Sequence, residues 1–219
     1  ALKYQGCAIG ERVAFCGSGP LLYLVAYQYA KAGAKVVAVL DSAPFSAQCQ
    51  ALPALIGQPG TLAKGLYYRS WLTAHGIPVH QGATLERIDG EQRVSAALWH
   101  KGKRQQRLEC DAIAFAHALR SETQLADLLA CEFLWSALNR AWLPRRDSAG
   151  RSSVEGVYLA GDGAGIMGAD AAEMAGERAA LALLEDSGHN VDSARGTHLE
   201  HKLAAIERFR HGLETAFPF

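Results

Sequence analysis

The sequence lacks an excess of charge of either sign. Its 219 residues include 22 Lys and Arg and 22 Asp and Glu, a formal net charge of +0. Proteins that bind nucleic acid or a membrane surface through charge need a basic patch or a large net charge, so this composition argues against both classes. No apolar run is long enough to cross a bilayer, and residues 1–6 lack the pattern of a secretory signal peptide.

Paired cysteines are also missing. No two of the five cysteines form a CxxC motif, so the sequence indicates neither a redox dithiol nor a zinc site. Their odd number and irregular spacing predict buried, reduced thiols in a cytoplasmic protein. His198 and His201 lie three residues apart, but no further carboxylates and histidines complete a metal site around them, and we predict none.

The segments that are present alternate between strand-like and helix-like patterns, which is typical of a parallel sheet. The apolar run 13–16 predicts a strand buried on both faces. Residues 20–31 predict a helix that starts with Pro20 and ends before Gly33. Residues 35–40 predict the next strand. The pattern therefore predicts an α/β, Rossmann-like fold.

The rest of the chain continues this alternation. We predict further strands at residues 78–81, 84–89, 93–99, 107–110, 112–116 and 157–160. We predict further helices at residues 61–75, 123–129, 169–184 and 198–216, the last of them amphipathic. Residues 42–60 and 132–153 are expected to be mostly loop, with a short helical piece at 48–56.

A glycine-rich turn joins the first predicted strand to the first predicted helix. Its first glycine permits a tight turn, its second lets the backbone approach a pyrophosphate, and the helix N-terminus offers N–H groups to phosphate oxygens. Leucine replaces the third glycine of the usual fingerprint, which predicts looser packing of helix on strand rather than loss of phosphate binding. The predicted phosphate site consists of Gly17, Ser18, Gly19, Pro20, Leu21 and Leu22.

An acidic residue follows this turn at the spacing of a ribose ligand. Asp41 lies 19 positions after Leu22 (41 minus 22), where about 20 are expected. Its carboxylate would accept hydrogen bonds from a ribose diol and repel a 2′-phosphate, and residues 42–47 contain no Arg or Lys. We therefore expect Asp41 and Ser42 to bind NAD rather than NADP. A βαβ unit without a ligand and an S-adenosylmethionine-dependent methyltransferase remain alternatives.

A second glycine-rich segment lies near the end of the sequence. The strand predicted at 157–160 runs into Gly161 and Asp162, and Gly168 and Ala169 begin a long alanine-rich helix whose N-terminus suits a polar or anionic group. Its small residues allow close packing. The alternative is a plain strand–turn–helix with an aspartate N-cap.

The two segments, in this order, resemble the pyridine-nucleotide-disulfide oxidoreductase superfamily. Residues 19–26 and 161–166 are similar to the FAD/NAD-binding subunits of multi-subunit amine-oxidising dehydrogenases: proline or hydroxyproline dehydrogenase, opine oxidase and the B-type subunit of hydrogen cyanide synthase. The resemblance covers about residues 1–215. It implies FAD and NAD as cofactors, with Gly161, Asp162, Gly168 and Ala169 at the flavin and the Asp162 carboxylate on its ribityl chain.

The sequence departs from this superfamily in three ways. The FAD pyrophosphate turn that precedes both segments in the superfamily is not found, the crossover at 116–121 lacks the usual glycine and Pro-Asn pair, and no cysteine-rich iron–sulfur segment follows the last helix. We therefore expect a two-dinucleotide-binding flavoprotein fold that lacks the N-terminal half of the FAD domain. The predicted parts are an NAD-type domain (1–118), the C-terminal portion of the FAD domain (119–190) and an amphipathic helix (191–219).

The resemblance implies an FAD-dependent oxidoreductase that takes part in amine or amino-acid oxidation. Its expected partner is a second flavoprotein subunit or the missing FAD half. No residue stands out as an acid–base catalyst, so substrate oxidation is expected in a partner subunit, and His117 is the histidine expected nearest both nucleotides. The alternatives are a scaffold subunit that holds an adenine nucleotide without hydride transfer and an independent NAD dehydrogenase.

Overall fold

The computed structural model describes residues 2–218, apart from the side chain of Lys3, and divides into two units. One unit consists of residues up to 118 together with those from 212 on, and the other of residues 119–211. Its helices are α1 (Leu2–Gln5), α2 (Pro20–Lys31), α3 (Phe45–Leu55), α4 (Pro59–Ala74), α5 (Gln124–Leu128), α6 (Ala169–Asp186) and α7 (Ser193–Ala216). Its strands are β1 (Arg12–Gly17), β2 (Lys35–Asp41), β3 (Val79–Gln81), β4 (Ala83–Asp89), β5 (Ala96–Lys101), β6 (Arg104–Glu109), β7 (Ala112–Ala116), β8 (Phe133–Ser136) and β9 (Ala141–Pro144).

A parallel sheet organises the first unit. Its strand order is β3-β2-β1-β7, and every neighbouring pair is parallel, so β1 lies between β2 and β7. The strands β4, β5 and β6 form a separate antiparallel sheet. The α/β, Rossmann-like prediction is confirmed.

Alternate residues of β1 pack into different cores, because successive side chains of a strand point to opposite faces. Val13 and Phe15 join a core with Leu22 and Tyr29 of α2. Ala14 and Cys16 pack on the other face, among residues of the antiparallel sheet. The strand is therefore buried on both sides, as its continuous apolar run predicts.

Three local predictions need correction. The helical piece predicted at 48–56 is present but begins earlier, as helix α3 (Phe45–Leu55), and where loop was predicted β8 and β9 form a hairpin in which Trp135 pairs with Trp142. The strand predicted at 157–160 does not form: Tyr158 makes only an isolated bridge to Arg151. An extended segment is a strand only when another segment pairs with its backbone, and among the described residues this one is paired along 150–152 alone.

Ion pairs connect the elements of the second unit. Arg151 contacts Asp186 at 2.7 Å and Glu185 at 2.9 Å, both at the end of α6. Arg178 of α6 is buried and contacts Glu200 of α7 at 2.7 Å. A buried arginine requires such partners, so this contact fixes α6 against α7. No helix of the described residues has the length and apolar character needed to span a membrane.

Leu22 and Leu21 allow a direct test of α2 packing. Leu22 is fully buried, whereas Leu21 is 40% exposed. Leu22→Ala is expected to lower the free energy of unfolding by about 2–5 kcal/mol, because it removes buried methyl groups and leaves a cavity. Leu21→Ala is the matched control, with an expected change within about 0.5 kcal/mol. Urea denaturation measures both, and equal losses would contradict the burial of Leu22 on the inner face of α2.

The cysteines are expected to differ in reactivity. The prediction of buried thiols is confirmed for Cys16, Cys110 and Cys131, but Cys7, which follows α1, and Cys49, on α3, are exposed. Burial raises the pKa of the Cys16 thiol to about 12, so its reactive thiolate is scarce at about pH 8. Alkylation followed by peptide mass mapping should modify Cys7 and Cys49 first and Cys16 slowly. All five should react in denaturant; rapid native labelling of Cys16 would disprove its burial.

Candidate nucleotide-binding sites

The glycine-rich turn is held between two neighbouring strands. The Ser18 amide donates to the Ala116 carbonyl at the end of β7 (2.8 Å), and the Ser42 amide donates to the Gly17 carbonyl (2.8 Å). A Cβ atom at Gly17 would overlap the Ala116 carbonyl group. Gly17 is therefore required by the approach of β7 as much as by the turn itself.

The next residues leave the N-terminus of α2 open. Gly19 has φ 102° and ψ 167°, and no atom lies within 4 Å of the position where its Cβ would be. No side chain caps the helix, which begins at Pro20. Leu21 is on the surface and Leu22 fills the core, so the residue that replaces the third glycine improves packing rather than loosening it.

Ser18 is the unusual polar residue of this turn. It is 4% exposed, and its Oγ atom has no hydrogen-bond partner among the described residues. A buried hydroxyl without a partner is unfavourable, so it calls for a ligand atom or an ordered water. A phosphate oxygen at the α2 N-terminus would satisfy it, and in this respect the residues present fit a nucleotide.

Asp41 lies at the end of β2, as its spacing predicts, but its side chain is fully buried. Its Oδ2 atom accepts a hydrogen bond from the Tyr23 hydroxyl, and its Oδ1 atom accepts one from the Ala43 amide at 2.9 Å. Burial raises the pKa of the Asp41 carboxyl, and these two hydrogen bonds oppose that rise. The carboxylate therefore already has partners within the protein.

A series of hydrogen-bonded side chains, which no sequence pattern connects, continues from Asp41. Gln48 lies 3.5 Å from Asp41, Gln81 donates to Gln48 at 2.7 Å, and Arg69 donates to Gln81 at 2.7 Å. Gln81 is also the direct register partner of Asp41 in the pair β2–β3. These residues come from α3, α4 and β3, so only the tertiary structure brings them together.

A cavity of about 220 Å³ lies at the same end of the sheet. It is lined by Gly17 and Ser42, two of the residues predicted to contact a pyridine dinucleotide. His117 also lines it, which places this histidine near Gly17. The remaining lining is mostly apolar: Cys16, Leu40, Ala83, Thr84, Leu85 and Phe115.

The second predicted site lies in the other unit. Gly161 has φ 64° and begins a 3-10 turn, Gly161–Ala164, that leaves Asp162 exposed. Gly168 precedes Ala169 at the start of α6 with φ 98° and ψ 167°, nearly the conformation of Gly19. A shallow depression joins these residues; it is lined by Gly161, Asp162, Gly165, Met167, Gly168, Ala171, Ala172 and Ala175.

A polar cluster supports the segment that leads into this depression. The Tyr158 hydroxyl donates to Asp186 at 2.7 Å, and Arg151 binds the same carboxylate. Hydrogen bonds from Arg151 and Tyr158 lower the pKa of Asp186 to about 2. The segment before Asp162 is thus attached to the far end of the helix that begins at Ala169. Among the residues the structure describes, no group of three His, Cys, Asp or Glu could hold a metal ion.

Comparison with known proteins finds related sequences of greater length. An opine oxidase subunit of Agrobacterium tumefaciens is 34% identical over 215 residues, which cover 97% of this chain and 42% of that protein. Hydrogen cyanide synthase subunit HcnB of Pseudomonas aeruginosa is 31% identical over 211 residues, covering 90% and 45%. The chain thus spans less than half the length of these curated relatives.

A solved structure shares the fold of this chain, and a family model identifies its family. The crystal structure of T. acidophilum thioredoxin reductase matches with a TM-score of 0.61 and 22% identity, over 80% of this chain and 52% of that one, which is a likeness of fold. The model of the pyridine nucleotide-disulphide oxidoreductases matches residues 1–176. The predicted resemblance is confirmed, and the chain belongs to the pyridine nucleotide-disulphide oxidoreductase family.

Proposed function

We propose that this chain is the nucleotide-binding part of an FAD- and NAD(P)-dependent oxidoreductase, in a complex that oxidises an amine or an amino acid. One observation supports it most: α2 and α6 both begin at a glycine of nearly the same unusual conformation, each after a glycine-rich turn. Such a glycine leaves the helix N-terminus accessible to a phosphate or another polar ligand group. Each unit contains one of these arrangements.

In the first unit, Gly17, Ser18 and Gly19 would hold the pyrophosphate of a pyridine dinucleotide. Ser18 supplies a hydroxyl that has no partner among the described residues, and the N-terminus of α2 supplies a favourable dipole. Ser42 borders the cavity beneath the turn and lies near the expected ribose position. Pro20, Leu21 and Leu22 contribute through the start of the helix rather than through polar side chains.

In the second unit, Gly161, Asp162, Gly168 and Ala169 would hold FAD, which supplies the redox chemistry when bound. The exposed Asp162 carboxylate is free of core packing and suits the hydroxyl groups of a ribityl chain. Gly161 brings the backbone close to the ligand, and the N-terminus of α6 suits the polar edge of the flavin or its pyrophosphate. The residues present fit this cofactor.

The second unit also supports the proposed partner, a second protein chain or a further segment that completes the FAD domain. The described hydrogen bonds of residues 157–160 follow one edge only, and a strand in a parallel sheet is normally paired and covered on both sides. Several large apolar side chains are exposed, as at surfaces that bind another protein. They are Leu119, Leu125, Leu128, Leu129, Leu134, Trp135, Trp142, Leu183 and Leu184.

The substrate class and the location belong to the same proposal. The two curated relatives are subunits of an opine oxidase and of a hydrogen cyanide synthase, and an opine is an amino-acid derivative. This supports amine or amino-acid oxidation in the complete protein. All five cysteines are unpaired, which supports the cytoplasm as its location.

The visible absorption spectrum of the purified chain tests the proposal. Acid extraction and mass spectrometry should identify FAD, expected in near-stoichiometric amount after the chain is incubated with FAD. An adenine nucleotide without flavin would favour the alternative of a scaffold subunit. A chain that retains neither FAD nor a pyridine nucleotide after incubation with both would contradict the proposal.

Asp162 is expected to be required for flavin retention. Asp162→Ala removes a charged hydrogen-bond acceptor and should weaken FAD binding by roughly tenfold or more. Asp170→Ala is the matched control, since Asp170 is also exposed and lies in the first turn of α6. Equilibrium dialysis with FAD measures both. Equal weakening in the two variants would assign the effect to charge near the helix rather than to Asp162.

Ser18→Ala is expected to change stability and affinity in opposite directions. Because the Ser18 hydroxyl is buried without a partner among the described residues, its removal should leave the free energy of unfolding unchanged or raise it by up to about 1 kcal/mol. Loss of its hydrogen bond to phosphate should weaken NADH or NADPH binding roughly tenfold. Urea denaturation and nucleotide fluorescence measure the two effects. Lower stability with unchanged affinity would show that Ser18 is only structural.

A further inference from the structure

Asp41 is poorly placed to form hydrogen bonds with a ribose diol. Its side chain is 0% exposed, and both of its oxygen atoms accept hydrogen bonds from within the protein. A ribose diol could reach the carboxylate only by displacing the Tyr23 hydroxyl, which would then be buried without a partner. Since leaving a buried polar group unpaired costs more than an average hydrogen bond gains, this exchange is unfavourable.

The residues beyond Asp41 form a different polar surface at the carboxyl end of the sheet. Gln48 and Gln81 are partly exposed and hydrogen-bonded to each other, and Gln81 lies beside Asp41 in the sheet register. Ligands of open α/β sheets bind outside the carboxyl ends of the strands. A ribose at the end of β2 would therefore meet these amides before it met the carboxylate.

Arg69 brings a positive charge to this surface. Its guanidinium donates one hydrogen bond to Gln81 at 2.7 Å, and it has no ion-pair partner among the described residues. Arginine carries five N–H donors in a planar fork that matches a phosphate group, so donors remain for a ligand. The hydrogen bonds that run from Arg69 through Gln81 and Gln48 to Asp41 hold this arginine close to the end of β2.

We propose that Arg69, rather than Asp41, determines what the site accepts at the adenosine ribose, and that a ribose with a 2′-phosphate binds at least as well as a bare one. The proposal rests on the dinucleotide site proposed above for the first unit. It replaces the expectation that the site prefers NAD to NADP. That expectation rested on an exposed Asp41 carboxylate and on the absence of Arg and Lys from residues 42–47. The cation is contributed by α4, 28 positions after Asp41 (69 minus 41).

Tyr23 has a positioning role in this arrangement. Its hydroxyl, which α2 carries, holds the Asp41 carboxylate inside the fold. The negative charge is thereby kept behind protein groups and away from a ligand phosphate. Tyr23→Phe would release the carboxylate, so it is expected to shift selectivity toward NADH without removing any group from the ligand surface.

The test compares the affinities of NADH and NADPH for the 219-residue chain and its variants by nucleotide fluorescence. The wild-type chain should bind NADPH at least as tightly as NADH. Arg69→Gln should weaken NADPH binding by about tenfold or more, because it removes a charge-assisted contact to phosphate, and leave NADH within about twofold. Lys64→Gln is the matched control: it removes one positive charge from the same helix at an exposed position and should not change the ratio.

Two variants that remove or add a carboxylate test whether Arg69 or Asp41 determines the selectivity between NADPH and NADH. Asp41→Asn should leave the ratio of the two affinities unchanged. Gln48→Glu adds a negative charge at a partly exposed position and should weaken NADPH binding more than NADH binding. A wild-type preference for NADH that Asp41→Asn abolishes would overturn the inference while leaving the dinucleotide site intact. An unchanged ratio in Arg69→Gln would also overturn it. Binding of neither nucleotide to the wild-type chain would overturn the proposed site and this inference together.

Discussion

The close approach of β1 and β7 at Gly17 is the constraint on which the first unit depends. At this point the Ala116 carbonyl lies where any larger residue would place its Cβ, and the Ser18 amide donates to that carbonyl. The Gly17 carbonyl in turn accepts a hydrogen bond from the Ser42 amide at the end of β2. One glycine thus joins the ends of three neighbouring strands, so the conformation of the glycine-rich turn is fixed by the sheet.

Local sequence patterns account for the parts of the fold that could be predicted. The parallel sheet follows from local patterns: continuous apolar strands, a proline at the start of α2 and glycine after it. Helix α3 and the β8–β9 hairpin could not be predicted as well, because Pro53 and the short segment 136–141 with Asn139 and Arg140 are typical of loops. Helix α3 is held by the burial of Ala47, Ala51 and Leu55, and the hairpin by contact between the rings of Trp135 and Trp142, and a single sequence does not show either contact.

The candidate sites show a sharper limit. Sequence spacing located Asp41 at the end of β2, because the length of a helix and two turns is nearly fixed. Spacing carries no information on burial, and the nearby Tyr23, Gln48, Gln81 and Arg69 come from four different elements. Whether a carboxylate faces a ligand or a tyrosine is decided by these long-range neighbours. The charge that a ribose would meet is therefore a property of the folded unit and not of the motif.

The two units differ in how completely they bury their own apolar surface. In the first, large residues such as Phe15, Leu22 and Leu72 are fully buried on the helix side of the sheet. In the second, the buried apolar residues are mainly alanines, with Leu199 and Phe209 as the large members, while both tryptophans of the hairpin are more than half exposed. Burial of apolar surface contributes about 25 cal/mol per Å² and is the main stabilising term in folding. Exposed side chains of this size therefore leave a substantial contribution to stability unrealised. A partner surface that covered these side chains would complete the core, and it could also pair the edge of residues 157–160 that has no backbone partner among the described residues.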